Sequence, residues 1–386
     1  MAAVILKKGK EKPLLNGHPW IFSGAVAEMP KEATGDIYPI YSHAKELLGY
    51  GYFNSRASII GRVLSFGSLS VKDALRNHLE KAVAFRKTLF SGDTTAYRLI
   101  NGEGDFIPGL IVDKYGDHLV IQVGTLGIEK LKEEIVAHLK ELVAPSAIYE
   151  KSTLPSRKEE GLREVQGWFG KQGSPEVTVL ENGLQFKVSL TEGQKTGFFL
   201  DQREMRQKVR NLSKDKAVLN CFAYTGGFSV YAAAGGAKQV DTLDISEKAI
   251  ALARTNMQLN APSTEGQFFA DDVFTFLREH PLPYELVILD PPAFAKRQKD
   301  VVQACRGYKD INRLAMLKMP SNSTLITCSC SHFVDEKLFQ TVVFQAATEA
   351  RRSVQILGRH LLAPDHPINL SHPEGSYLKS LYLHVQ

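Results

Sequence analysis

Hydrophobic positions along this chain change their rhythm twice. Up to about residue 70, short apolar runs are broken by Gly17, Gly24, Gly35, Gly49, Gly51, Gly61 and Gly67. Turn signals at that spacing predict short strands of a small barrel rather than helices. A helical stripe follows from Leu75 to Leu89, carried by Leu75, Leu79 and Val83. Leu110–Val112 and Leu119–Ile121 then flank a polar turn and read as a hairpin. Ile128 to Leu142 is amphipathic at helical spacing, Ala147–Tyr149 reads as a strand, and Ser152 to Pro175 reads as a linker or a mobile substrate loop. Val177–Leu180 and Leu184–Val188 alternate around Asn182-Gly183, a strong hairpin signal. From Val218 onward strands and helices alternate, which predicts an α/β unit with a parallel sheet covered on both faces. Three segments result, 1–70, 71–176 and 177–386, with no internal repeat.

Candidate chemistry concentrates in the last segment. The apolar strand Val218–Phe222 runs into Ala223-Tyr224-Thr225-Gly226-Gly227 and then a helix. Such an edge lets a ligand approach the backbone. The pattern is not G-x-G-x-x-G, which disfavours a dinucleotide pyrophosphate. Asp244 ends the next strand, where an acid hydrogen-bonds ribose hydroxyls, and Ser246 is placed to cap the following helix. Asp271 and Asp272 follow Gln267–Phe269; one of them, with Asp272 preferred, receives the adenine amino group, or both cap a helix. A nucleoside site without a phosphate cradle points to S-adenosylmethionine. The cofactor set is then Phe222, Tyr224, Thr225, Gly226, Gly227, Asp244, Asp272 and Asp290, joined by Lys195 and Asp201 from the polar and aromatic stretch Gly193–Arg203.

Asp290-Pro291-Pro292 ends the apolar run Leu286–Leu289, and Cys330 lies just past the apolar pair Leu325-Ile326. Chemistry in an open α/β sheet gathers beyond the carboxyl ends of neighbouring strands. A thiol and a carboxylate at two such ends face one substrate, which makes Cys330 and Asp290 the candidate catalytic pair. A thiolate added at C6 of a pyrimidine activates C5 towards a methyl sulfonium. Cys328 precedes Cys330 on the same strand and Cys221 lies within one, so Cys330 is the better nucleophile. Pro291 beside the base, with Arg306, Tyr308 and Lys309 after the proline loop, is the candidate substrate-binding set: aromatic and basic groups suit unpaired RNA bases.

Composition permits this reading without proving it. The net charge is +5, and the surplus falls in the two end segments. The four cysteines show neither zinc-site nor secreted-disulfide spacing, so no metal is expected. The apolar start is too short to span a bilayer and its lysines follow rather than precede it; a cytoplasmic location, away from membranes, with reduced thiols is expected.

The motifs together resemble the bacterial large-subunit ribosomal RNA cytosine-5 methyltransferases with an N-terminal PUA domain. The likeness runs from Gly17-His18-Pro19-Trp20-Ile21-Phe22 and Arg62-Val63-Leu64 through Arg98–Asp105 to Lys195-Thr196-Gly197, Leu200–Arg203, Asn220–Phe222, Tyr224–Gly227, Asp290-Pro291-Pro292, Cys305–Asp310 and Ser329-Cys330-Ser331. It implies a Rossmann-like class I methyltransferase domain built on a mainly parallel seven-stranded sheet, an N-terminal PUA β-barrel and a small α+β central domain. It further implies S-adenosylmethionine as cofactor, 23S ribosomal RNA as partner, Cys330 as nucleophile and a homodimer. One departure is that no cysteine follows the proline of Asp290-Pro291-Pro292. More distant RNA cytosine-5 enzymes have one there, so Cys305 or Cys328 would have to serve product release, or neither. Two rivals stand beside this reading. A guanine-N methyltransferase on the same sheet would rest on Asp-Pro-Pro, although Ala293 stands where an aromatic is usual and Phe294 is displaced by one. A non-catalytic RNA-binding assembly factor would rest on the N-terminal barrel.

Overall fold

The computed structural model describes residues 2–261, 263–360 and 362–386. The chain divides into two compact units. One comprises Met1–Leu180, Val188–Leu200 and Pro364–Gly375; the other comprises Glu181–Lys187, Asp201–Ala363 and Ser376–Gln386.

In the first unit, six strands pair in the order Trp20–Phe22, Ile59–Phe66, Leu47–Asn54, Thr34–Tyr41, Val4–Leu6 and Val26–Glu28. The two edge strands, Trp20–Phe22 and Val26–Glu28, are joined in the chain by a single turn, Ser23–Ala25. A three-residue link forces the sheet to curl on itself, as the glycine-rich pattern predicts. The helix Val71–Leu89 begins four residues before the periodic stripe, because Ser70 Oγ accepts the Asp73 N–H at its start. Leu75 and Leu79 of that helix share a core with Tyr52 and Leu64 of the curled sheet and with Val112 and Ile121 of a second, five-stranded sheet. The polar links within this unit are buried: Glu160 accepts from Asn54 Nδ2 at 2.8 Å and pairs with Arg62 at 2.7 Å.

The stretch expected to be a linker or a mobile substrate loop is partly ordered into the second sheet. Val165–Trp168 pairs antiparallel with Ala147–Ser152, and the Trp168 ring sits 4.9 Å from that of Tyr149. A four-residue edge strand is specified by its partner rather than by its own composition, so charge and glycine content hid it. The hairpin around Asn182-Gly183 forms as predicted, both residues having positive φ (50° and 77°).

The second unit carries seven strands: β1 (Ala217–Cys221), β2 (Gln239–Asp244), β3 (Phe268–Ala270), β4 (Leu286–Leu289), β5 (Ser323–Ser329), β6 (Val354–His360) and β7 (Lys379–Val385). Their order is β3-β2-β1-β4-β5-β7-β6, with β7 antiparallel to both neighbours and the other pairs parallel. The helices are α1 (Gly227–Ala234), α2 (Glu247–Asn260), α3 (Val273–Glu279), α4 (Val301–Lys318) and α5 (Glu336–Glu349). Strands β1, β4 and β5 are buried throughout, and β4, Leu286–Leu289, is apolar at every position, as a strand covered on both faces requires. Strand order reverses between β1 and β4, so the carboxyl ends of β1, β2, β4 and β5 bound one crevice.

No helix among the described residues is long and apolar enough to cross a membrane.

Candidate active site

The β1 exit is built under backbone constraint. Phe222, Tyr224 and Gly226 all have positive φ (57°, 48° and 78°), a conformation that side chains resist and that persists only where surrounding contacts dictate it. Those contacts are identifiable. Asp244, at the tip of β2, accepts the Tyr224 N–H at 2.8 Å and the Ser246 N–H at 2.9 Å. Asn256 of α2, fully buried, donates from Nδ2 to the Thr225 carbonyl at 2.9 Å. A Cβ on Gly226 would lie 2.9 Å from that of Ala253, so glycine there serves helix packing as well as the turn. Thr225 and Gly227 are buried while Phe222 and Tyr224 are partly exposed, so these two flank the open side of the turn.

Asp272 is the N-cap of α3, accepting the Thr275 N–H at 2.9 Å, and Ser246 caps α2 through Ala249. The carboxylate of Asp272 thus fixes the end of β3 whether or not it meets a ligand. Asp201 is buried, and its Oδ2 accepts from the Tyr377 hydroxyl at 2.7 Å, so it ties the start of this unit to its C-terminal segment. Lys195 belongs to the first unit, where its ammonium group lies over the Phe199 ring.

The tips of β4 and β5 carry the candidate catalytic pair. The two strands pair in parallel, Ile288 with Ile326 and Leu289 with Thr327. The chain beyond each therefore leaves the sheet side by side. The Cys330 thiol donates to the Pro291 carbonyl across 3.9 Å, which puts the sulfur against the Asp290-Pro291 turn. Cys330 is half-buried, whereas Cys328 and Cys221 are fully buried and burial pushes their thiols far up. Cys305 is partly exposed and also raised by burial. A strand that stops at Ser329 releases Cys330 from the sheet while Cys328 stays inside it. Asp290 in turn accepts from Gln202 Nε2 at 2.9 Å.

Tyr308 corrects an expectation. It is fully buried, so its ring offers no face to a base; instead its hydroxyl pairs with Ser331 Oγ at 2.8 Å. Ser331 Oγ also accepts the Ala295 N–H at 3.1 Å, tying the cysteine turn to the proline loop. Phe294 packs on Tyr308 with ring centroids 4.6 Å apart, which accounts for the aromatic displaced beyond the prolines. Of the other two residues in that helix, Lys309 pairs with Glu349 of α5 at 2.6 Å, and Arg306 is exposed. Helical spacing separates what linear proximity had grouped: Tyr308 points inward, Arg306 outward.

Four contributors carried no role in the sequence reading. Gln202 and Ser331 lay inside quoted motifs without an assigned task. Lys379 had a legible signal, a charge in register with Leu381, Leu383 and Val385 on the buried face of β7. Asn256 has no such signal, being one polar residue in a helix.

Elsewhere, His18, His372 and Glu374 form the one cluster among the described residues with metal-ligand composition. Trp20 N–H donates to His18 Nδ1 at 3.1 Å, which leaves the ring proton on Nε2, facing Glu374 at 3.5 Å. A nitrogen that carries a proton offers no lone pair to a metal.

Comparison with known proteins agrees with this fold. Residues 164–368 match the family described as S-adenosylmethionine-dependent methyltransferase, and residues 4–66 match the PUA-like domain. The chain belongs to the S-adenosylmethionine-dependent methyltransferases. Within them it is 41% identical over 392 residues to the ribosomal RNA large subunit methyltransferase I of Aliivibrio fischeri (strain MJ11), covering 99% of each chain. The Tolumonas auensis protein of the same name is 41% identical over 388 residues, with 98% of each covered. Among solved structures, a protein of Streptococcus mutans described as SAM-dependent superposes with a TM-score of 0.85 at 26% identity. A methyltransferase complexed with SAH superposes at 0.86 and 26%; both comparisons cover all of both chains.

The cofactor of this family fits the residues present. The β1 exit has one left-handed glycine instead of a phosphate cradle, and carboxylates end or follow β2, β3 and β4. Phe222 and Tyr224 would flank the nucleoside, Asp244 would meet its ribose and Asp272 its base.

Proposed function

We propose that this chain is a ribosomal RNA methyltransferase that forms 5-methylcytosine in the large-subunit RNA, with Cys330 as nucleophile and the N-terminal PUA-like domain as an RNA-binding module. The observation that carries the reading is the 3.9 Å contact between Cys330 Sγ and the Pro291 carbonyl. It sets a half-buried thiol beside Asp290 at the crevice where class I sheets bind their ligands.

When bound, S-adenosylmethionine supplies an electrophilic methyl on a sulfonium, which departs as a neutral thioether. The chain's residues do the rest. The Cys330 thiolate forms a bond to C6 of the cytosine ring, and the C5–C6 π electrons become available at C5 to take the methyl. A base then removes the C5 proton, the C6–S bond breaks with its electron pair returning to sulfur, and the aromatic ring is restored. Asp290 accepts a hydrogen bond from the exocyclic amino group and fixes the ring's register. Gln202 and the Tyr308–Ser331 pair hold the two turns in place, so that little reorganisation is needed at the moment of reaction. Arg306, exposed on α4, supplies a phosphate contact.

The test is nucleoside mass spectrometry of 23S transcript incubated with S-adenosylmethionine and the enzyme. The reading expects 5-methylcytidine with wild type and none with Cys330→Ala. RNA carrying 5-fluorocytidine should form a covalent adduct at Cys330, because fluorine blocks the final proton loss. Methylguanosine made equally well by both enzymes would instead establish the guanine-N reading. No methylated product from wild type, together with RNA binding, would favour an assembly factor.

A further inference from the structure

The terminal strand β7 contains a lysine whose position needs an explanation. Lys379 is 5% exposed and shares the buried face with Leu381, Leu383 and Val385. Lysine is almost never this buried unless its charge is paired. Its Nζ donates to two carbonyl oxygens, Ser331 O at 2.6 Å and Tyr377 O at 2.8 Å. No carboxylate lies within ion-pair distance of it among the described residues. A buried ammonium group with only neutral partners costs stability. That cost makes sense if a negative charge develops next to it during turnover.

The residue that supplies such a charge is in place. β7 pairs antiparallel with β5, Ser329 opposite Lys379. The side chain of Lys379 therefore reaches past the end of β5 to the turn that contains Cys330 and Ser331. Its bond to Ser331 O fixes the residue directly after the cysteine.

We propose that Lys379 is a positioning residue for the thiol: it clamps the Cys330–Ser331 turn, and its ammonium charge stabilises Cys330 as the thiolate. The proposal rests on Cys330 being the nucleophile, as argued above. The same charge serves both ends of the reaction, favouring the thiolate before it adds to C6 and when it leaves. A cation near the sulfur is the usual way to activate a cysteine.

The surrounding titratable groups are consistent with this pairing. Burial holds Lys379 down at about 8, opposed first by the charge of Cys330 and then by that of Asp335. Asp335 sits at the head of α5, exposed, with its carboxylate capping the Leu338 N–H at 2.7 Å. From α4 the turn meets Tyr308, whose hydroxyl is raised by burial and stays protonated. From β5 it meets Cys328, whose thiol is raised far beyond use. From the β4 exit comes Asp290, a carboxylate that disfavours a second negative charge nearby. Next along the turn, His332 is exposed. Lys379 is thus the buried cation among these groups, set against two acids.

The test is the pH dependence of iodoacetamide alkylation of Cys330 in the full-length protein, read by mass spectrometry of its peptide. Lys379→Gln should move the midpoint up by roughly one unit or more, the size expected for losing a close opposite charge. An unmoved midpoint in folded Lys379→Gln overturns the proposal. Coupling between two charges is reciprocal, so a second measurement works in a variant that conserves the fold. In Cys330→Ala, acylation of Lys379 by limiting acetic anhydride should titrate at lower pH than in wild type. Equal midpoints there also overturn the proposal. Neither readout involves methyl transfer. An active Cys330→Ala enzyme would therefore sink the nucleophile assignment on separate grounds.

Discussion

Gln202 Nε2 donates to Asp290 Oδ1 at 2.9 Å, joining residues 88 positions apart in the chain. Gln202 is 3% exposed, so the bond is shielded from water and holds the carboxylate at a fixed angle. A buried hydrogen bond to a charged group contributes about 1.5–3 kcal/mol. Gln202→Leu should therefore slow methyl transfer by roughly 10- to 100-fold under single-turnover conditions. Binding of S-adenosylmethionine, measured by calorimetry, should change much less. A rate within a factor of two of wild type would remove Gln202 from the site.

At the other end of the crevice, Gly226→Ala should weaken cofactor binding. The residue has φ 78°, and an added Cβ would press on Ala253 at 2.9 Å. Left-handed backbone costs a non-glycine residue about 1–2 kcal/mol before any clash. Calorimetric affinity for S-adenosylmethionine should fall at least tenfold; unchanged affinity would mean that the turn does not contact the cofactor.

Glu181 is the stability centre of the second unit. It is fully buried between Arg206, at 2.6 Å, and Arg203, at 3.3 Å. Removing the shared anion takes an ion-pair partner from two buried cations, which costs about 3–5 kcal/mol. Glu181→Ala should lower the thermal midpoint by many degrees, and Arg203→Met with it should recover part of the loss. Calorimetric unfolding of the wild type and the two variants checks both statements.

Two buried lysines set an alkaline dependence. Burial holds Lys151, which donates to the Leu190 carbonyl, and Lys379 at about 8. In the unfolded chain both return to an ordinary lysine value near 10.4. Between those limits the unfolded chain binds more protons than the folded one, so stability rises as pH goes from 8 towards 10. Lys151→Met and Lys379→Met should each flatten that rise in urea titrations. A slope unaltered by either substitution would show that the two amines are not desolvated as drawn.

Much of this protein is local and was legible before any fold was seen. Asn182-Gly183 marks its hairpin because few residues accept two successive left-handed conformations. The continuous apolar run of β4, Leu286–Leu289, announces a strand covered on both faces. Asp244, Asp290 and Cys330 stand out because strand tips are punctuated by turns, and the crevice of an α/β sheet lies there. Direction and partnership were not legible. Tyr308 and Arg306 sit two residues apart in a promising segment, yet α4 turns one into the core and the other to solvent. The strand Val165–Trp168 exists only through the neighbour it pairs with. Lys379 approaches the cysteine turn because β7 runs back alongside β5, a pairing of segments about fifty residues apart. Sequence patterns record what each residue must bury or expose. Which buried group meets which depends on sheet order and helix phase, and those arise only when the whole chain packs.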